Sequence, residues 1–182
     1  MKSFLERLDF YKSGDMAAET LLALGRIAHP SARDALRAHL NDGDAAMRAA
    51  ALEGLGRLQD ADSGSEFVAR RQRDSSASVR LAATFAAAKL GNPDVPAIVR
   101  GLSSAETYAQ AVDYLLELGP SIAPAVKASL DTTRDNVMRA ELIHVLGFIG
   151  TKDAVPAIEP LLKDHNERVA HAAADAIARL SR

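Results

Sequence analysis

Residues 136–164 read NVMRAELIHVLGFIGTKDAVPAIEPLLKD, and this stretch decides the fold. It scans as a helix, a tight turn and a second, shorter helix. Versions of it recur along nearly the whole chain. With Met138 as position 0, the same phase falls at Met16, Met47, Val79, Thr107 and Val169, in steps of 31, 32, 28, 31 and 31 residues. Position 4 is Thr20, Ala51, Ala83, Ala111, Leu142 and Ala173, nearly all small. Position 8 is Leu24, Leu55, Ala87, Leu115, Leu146 and Ile177, and position 11 is Ile27, Leu58, Leu90, Leu118, Ile149 and Leu180. Apolar residues at 0, 4, 8 and 11 make one stripe of a helix, and the small residue at 4 admits a close neighbour. A register repeated at about thirty residues marks a stacked array of helix pairs.

A shorter helix is expected between each pair of these. Asp153-Ala154-Val155-Pro156-Ala157-Ile158 matches Asp94-Val95-Pro96-Ala97-Ile98 and, more loosely, Ser121-Ile122-Ala123-Pro124-Ala125-Val126. Asp94, Ser121 and Asp153 are the expected N-caps, since their side-chain oxygens can accept an orphan backbone N–H. A proline in the first turn sacrifices no needed hydrogen bond. Gly91, Gly119 and Gly150 are expected to end the preceding helices in a left-handed conformation. Pro160 lies inside a helix pattern and should kink or fray it. A first, incomplete helix is expected over Lys2 to Tyr11. No long linker interrupts the pattern, so residues 1–182 read as a single repeat domain of about six helix pairs.

Composition agrees. Hydrophobic residues make up 48% of the chain but aromatics only 4%, with no tryptophan, which favours thin layers of alanine- and leucine-rich helices over a sandwich or barrel. With 22 basic and 24 acidic residues, net charge −2 and pI near 6.2, the chain lacks the basic excess of a polyanion-wrapping domain. The absence of cysteine excludes disulfides, thiolate metal sites and a cysteine nucleophile. No run approaches the roughly 20 apolar residues needed to span a bilayer, and the first fifteen residues contain no apolar core for export. A cytoplasmic protein, monomeric rather than oligomeric, is expected.

These residues resemble the HEAT-like repeats first associated with phycobilisome lyases. The apolar–Arg pairs Met47-Arg48, Val79-Arg80 and Met138-Arg139, the Leu-Gly endings and the Asp-x-Val-Pro-Ala-Ile openings carry the resemblance over essentially the whole chain. The fourth unit departs, with Thr107-Tyr108 in place of the pair. The resemblance implies an all-α, right-handed α-α superhelix, an α-solenoid with its second helices on the concave surface. It also implies that Arg48, Arg80 and Arg139 meet loop aspartates of neighbouring repeats.

Positions 3, 6 and 10 of the second helices should point away from the buried stripe, onto the concave face. There Glu53 with Arg57 and Asp175 with Arg179 form i,i+4 pairs expected on a solvated face. Phe85, Tyr114 and Phe148 place aromatics where charge would be neutral, flanked by Lys89, Asp113, Glu117 and His144. Aromatic anchors in a charged surround are the pattern of a protein–protein interface. The expected function is a non-enzymatic scaffold or adaptor that binds a protein or peptide on that face. A bilin-lyase-like subunit is the alternative, and a nucleic-acid-binding module a more remote one. Arg70, Arg71 and Arg73 form the one basic cluster, read as a solvated helix face.

No catalytic constellation, no cofactor motif and no metal-ligand set emerges. There is no Gly-x-Ser-x-Gly elbow and no phosphate-binding Gly-x-x-x-x-Gly-Lys loop. His165 and His171 are six apart, and no His-Glu doublet of the kind that holds iron in HEAT-repeat hydroxylases occurs.

Overall fold

The computed structural model describes residues 15–181. The helix expected over Lys2 to Tyr11 lies outside them. Within this range the chain is helical throughout, with no strand among the described residues. The helices are α1 (Asp15–Ile27), α2 (Arg33–Ala38), α3 (Ala45–Arg57), α4 (Gly64–Arg73), α5 (Ala77–Lys89), α6 (Val95–Gly101), α7 (Tyr108–Leu118), α8 (Ala123–Thr132), α9 (Asn136–Ile149), α10 (Val155–Ile158) and α11 (Glu167–Leu180). No described helix is long and apolar enough to cross a membrane. The chain divides into two compact units, Met1–Asp94 and Val95–Arg182.

In the first unit the inner helices α1, α3 and α5 lie side by side, with α2 packed on α3 and α4 on α5. In the second, α9 packs extensively on α11, and α8 backs α9. The seam between α7 and α9 is much thinner. The apolar stripe carries these contacts. Position 4 is buried in all six inner helices, from Thr20 to Ala173, and position 8 is buried in five of the six.

A second device, absent from the apolar stripe, sets how closely the inner helices approach. A Cβ on Gly25 would stand 2.6 Å from the Cα of Gly54, one on Gly56 2.7 Å from the Cα of Ala86, and one on Gly147 2.8 Å from the Cα of Ala176. In each case position 9 of one inner helix meets position 7 of the next. Glycine at position 9 is required because the partner's backbone occupies the place of its side chain. At the α7–α9 seam the same two positions are Leu116 and Val145, too large for such contact, and Leu116 is left 37% exposed.

The inner helices α3, α5, α9 and α11 start on side-chain caps, whereas Thr107 makes no such bond at the start of α7. Asp44 accepts from Ala46 N–H, Asp135 from Met138, Asn166 from Val169 and Ser76 from Val79. The outer helices α8 and α10 do not follow the expected scheme. Ser121 and Asp153 lie inside 3₁₀ turns, Gly119–Ile122 and Lys152–Ala154, and neither caps α8 or α10. The turn's own i→i+3 bonds satisfy those N–H groups instead, as where Val155 N–H bonds to the Lys152 carbonyl. Pro124 and Pro156 do sit in first turns. Pro160 breaks the last outer helix, which ends at Ile158 and continues as the 3₁₀ segment Glu159–Lys163.

Position 12, just after each inner helix, is left-handed at Gly91 (φ 91) and Gly119 (φ 68), as expected. Ala28 (φ 50) and Gln59 (φ 51) also have positive φ without being glycine. Gly150 does not share it. Its backbone is extended (φ −71, ψ 168), and glycine is needed there because a Cβ would collide with the Leu146 carbonyl oxygen.

Candidate interaction surface

Arginines bolt adjacent repeats together at their loop edge. Arg48 Nε and Nη2 donate to Asp74 Oδ2 and Oδ1 at 3.0 and 2.9 Å, while Nη1 donates to the carbonyls of Asp42 and Gly43. Arg139 Nη2 reaches Asp164 Oδ2 at 2.6 Å. Arg80 follows half of the pattern, donating to the carbonyls of Asp74 and Ser75 in its own loop. The hydrogen bonds from Arg48 hold the Asp74 carboxyl far below the ordinary carboxylate range, against the effect of burial, with Ser76 N–H and Arg70 adding to the shift. Asp164 is lowered in the same way by Arg139 and by Asn166 N–H. In the loop after α3, Asp60 is 3% exposed. Burial opposes its ionisation, but hydrogen bonds from Arg37 and Ser63 keep its carboxyl low.

The aromatic residues expected on one face have separate fates. Phe85 is fully buried, its ring covered by Arg57 at 5.2 Å and Lys89 at 5.8 Å from the centroid. Tyr114 is 1% exposed, and its hydroxyl accepts from Gln110 Nε2 at 2.7 Å. Neither ring is available as an anchor, which corrects the reading of both. Phe148 alone of the three is open, at 59%, with the Arg179 guanidinium 4.2 Å from its centroid. Within the second unit Asp113, Glu117, His144, Asp175 and Arg179 are also exposed at positions 6 and 10 of α7, α9 and α11.

The first unit differs at those positions. Glu53 is 8% exposed and accepts from Arg57 Nη1 at 3.0 Å, so the pair is part of the packed interior and not a solvated face. Every residue of α3 from Met47 to Gly56 is buried. The surface read from positions 6 and 10 therefore exists along α7, α9 and α11 and is largely closed along α3 and α5.

Two clefts open at the loop edge of the second unit. One, of about 440 Å³, lies around Asn136, Arg139, Leu161, Asp164 and His165. The other, of about 410 Å³, is lined by Leu102, Ser103, Tyr108, Thr133, Asp135, Val137, Met138 and Glu141. Tyr108 donates its hydroxyl proton to Glu141 Oε2 at 2.8 Å, and that carboxylate raises the phenol's pKa. Tyr108 stands out in the sequence as the residue replacing the repeated arginine. Thr133 gives no such signal by itself. It emerges only when the loops are aligned on their caps. Asp42, Asp74 and Asp164 each precede an inner-helix cap by two residues, and before Asp135 that place is held by Thr133.

No group of three or more His, Asp or Glu side chains among the described residues is arranged to hold a metal ion. A family model described as HEAT repeats matches residues 2–88 and 122–182. No curated protein sequence matches the chain. Among solved structures it is similar to an engineered protein at 18% identity and a TM-score of 0.47, covering 100% of this chain and 97% of that one. Human deoxyhypusine hydroxylase in complex with glycerol aligns at 20% identity and TM-score 0.45, covering 98% of this chain and 74% of the enzyme. A second engineered protein aligns at 20% identity and TM-score 0.45, with coverages of 98% and 58%.

Proposed function

This chain belongs to the HEAT-repeat family, and we propose that it serves as a non-enzymatic scaffold or adaptor whose protein partner docks along the inner helices of the second unit. HEAT repeats are in general protein-interaction modules. The observation that carries the reading is Phe148, a large aromatic held 59% exposed on a packed helix. Burying such a ring against a partner is favourable by about 1.5–3 kcal/mol. The Arg179 guanidinium over one face fixes the ring, lowering the entropy lost on docking. His144 lies one turn before Phe148 on the same side of α9, with Asp113 and Glu117 supplying charge on α7. Phe85 and Tyr114 have no part in this surface, and Lys89 serves as a cover for Phe85.

The state of the basic cluster favours a protein partner over a polyanion. Arg70 distributes its donors among Glu66, Asp74 and Asn41, and Arg71 stands 3.9 Å from Asp94. The test is a photo-crosslinking residue at position 148 in the native cell. A discrete adduct that disappears when the same residue is placed at position 127, on an outer helix, supports the reading. Equal labelling from both positions overturns it.

A further inference from the structure

The bolts between repeats, and the place where one is missing, lead to a specific ligand chemistry. At the α3–α5 junction three parts meet. Arg48 stands at position 1, the carbonyls of Asp42 and Gly43 lie six and five residues before it, and the Asp74 carboxylate comes from the next loop. Arg139 and Asp164 repeat the ion pair at the α9–α11 junction. At α7–α9 the arginine is Tyr108 and the aspartate is Thr133, so both halves of the bolt are changed together. The residues six and five before Tyr108 are Leu102 and Ser103, the counterparts of Asp42 and Gly43, whose carbonyls accept from Arg48 in the first unit.

All four of these residues line the 410 Å³ cleft. Two carboxylates, Asp135 and Glu141, complete its wall, and no lysine or arginine lines it. Arg139, the nearest cation on α9, is turned to Asp164 and Asn136 in the neighbouring cleft. Among the described residues no donor reaches the carbonyl oxygens of Leu102 or Ser103. The rest of the wall is mixed, with Leu102, Val137 and Met138 apolar and Ser103 and Thr133 carrying hydroxyls, and Tyr108 is 39% and Val137 51% exposed. A cleft of this size, with apolar side chains beside two carboxylates and no cation, is large enough for one cationic side chain.

We propose that this cleft binds an arginine side chain presented by a partner protein, in the place that Arg48 fills from within the chain at the α3–α5 junction. The guanidinium donates to Glu141, as that of Arg48 donates to Asp74, with the Asp135 carboxylate adding negative charge beside it, and its aliphatic stem lies against Tyr108 and Val137. Arginine is preferred to lysine because its planar fork meets a carboxylate and two carbonyls at once. The inference rests on the reading of the chain as a protein-binding module, but it uses a surface apart from Phe148.

The test is an amide-resolved NMR titration of the intact chain with acetyl-Ala-Leu-Arg-Leu-Ala-amide and with the same peptide carrying citrulline, which keeps the shape and loses the charge. Shift changes confined to residues 102–108 and 133–141, at least fivefold weaker for citrulline, are the expected result. Glu141→Gln should weaken the arginine peptide by a similar factor. Tyr108→Arg with Thr133→Asp rebuilds the internal bolt and should abolish binding while raising the melting temperature. Phe148→Ala should leave this titration unchanged, so failure at one surface is distinguishable from failure at the other. Equal binding of the citrulline peptide, shifts spread over the surface, or undiminished binding by Glu141→Gln would overturn the proposal.

Discussion

The two phenylalanines Phe85 and Phe148 stand on inner helices of the same register and have opposite environments. Phe85 is fully buried between two cations in a helix closed on every side, and Phe148 is 59% exposed with one cation on its face. The difference lies in what surrounds them. Around Phe85, α3 and α5 are rich in alanine and their charged residues Glu53 and Arg57 are drawn into the packing. Around Phe148, α9 and α11 bury one face and leave the other to solvent. A repeat register thus fixes which positions stack, whereas the use of the remaining positions is set locally.

The sharpest test is truncation of the two rings. Phe85→Ala should cost about 3–5 kcal/mol, read as a fall in the urea midpoint, because it leaves a cavity among close-packed helices. Phe148→Ala should lie within about 0.5 kcal/mol of the parent. Equal losses would erase the distinction between the two environments.

Next in size is the bolt of the first unit. Asp74→Ala strands the buried Arg48 guanidinium and should cost about 3 kcal/mol. The Asp74 carboxyl is held low in the folded state, so its contribution is complete above the unfolded carboxylate pKa of about 4 and fades as pH falls below it. Asp74→Asn should therefore flatten the acid limb of a stability–pH curve. The more exposed Asp164 should show the same sign with a smaller effect.

The seams follow. Gly147→Ala forces a Cβ to within 2.8 Å of Ala176 and should cost about 1–3 kcal/mol through overpacking, measured as a lowered melting temperature. Leu116→Ala, on the open α7–α9 seam, should cost less. One small change runs the other way. Gln59 holds a left-handed backbone at φ 51, and Gln59→Gly should stabilise the first unit by about 0.5–1 kcal/mol, seen in the same melts.

The helical array was legible because its signal is periodic and redundant. Six copies of the apolar stripe, two glycines with positive φ, and Pro160 as a breaker all read directly from the residues. The site was not legible in the same way. Phe85 and Phe148 are identical as letters, and only the cations stacked on them and the closure of the neighbouring helices separate their roles. The caps of α8 and α10 were misread because a 3₁₀ turn satisfies donors with no sequence signature of its own. Gly150 was misread because a glycine marks either a left-handed turn or a lack of space, and only the Leu146 carbonyl distinguishes them. The glycine seams at positions 7 and 9 were present in the text of Gly25, Gly54, Gly56 and Gly147. They fall outside the apolar stripe, and so a search for hydrophobic period passes over them.

The placement of Gly54 and Gly56 has a consequence for how this array tolerates insertions and deletions. The two residues are about 200° apart around α3, so one receives α1 and the other meets α5 from the opposite flank. Within a single helical turn α3 therefore sets the registration of two neighbours. A residue inserted in the loop before Asp44 shifts nothing on the helix itself. One inserted between Gly54 and Gly56 turns the two flanks by about 100° relative to each other and brings a side chain against a backbone that has no space for it. Length changes accumulated by descent should therefore be confined to the loops, with the turn from Gly54 to Gly56 the segment least able to absorb one.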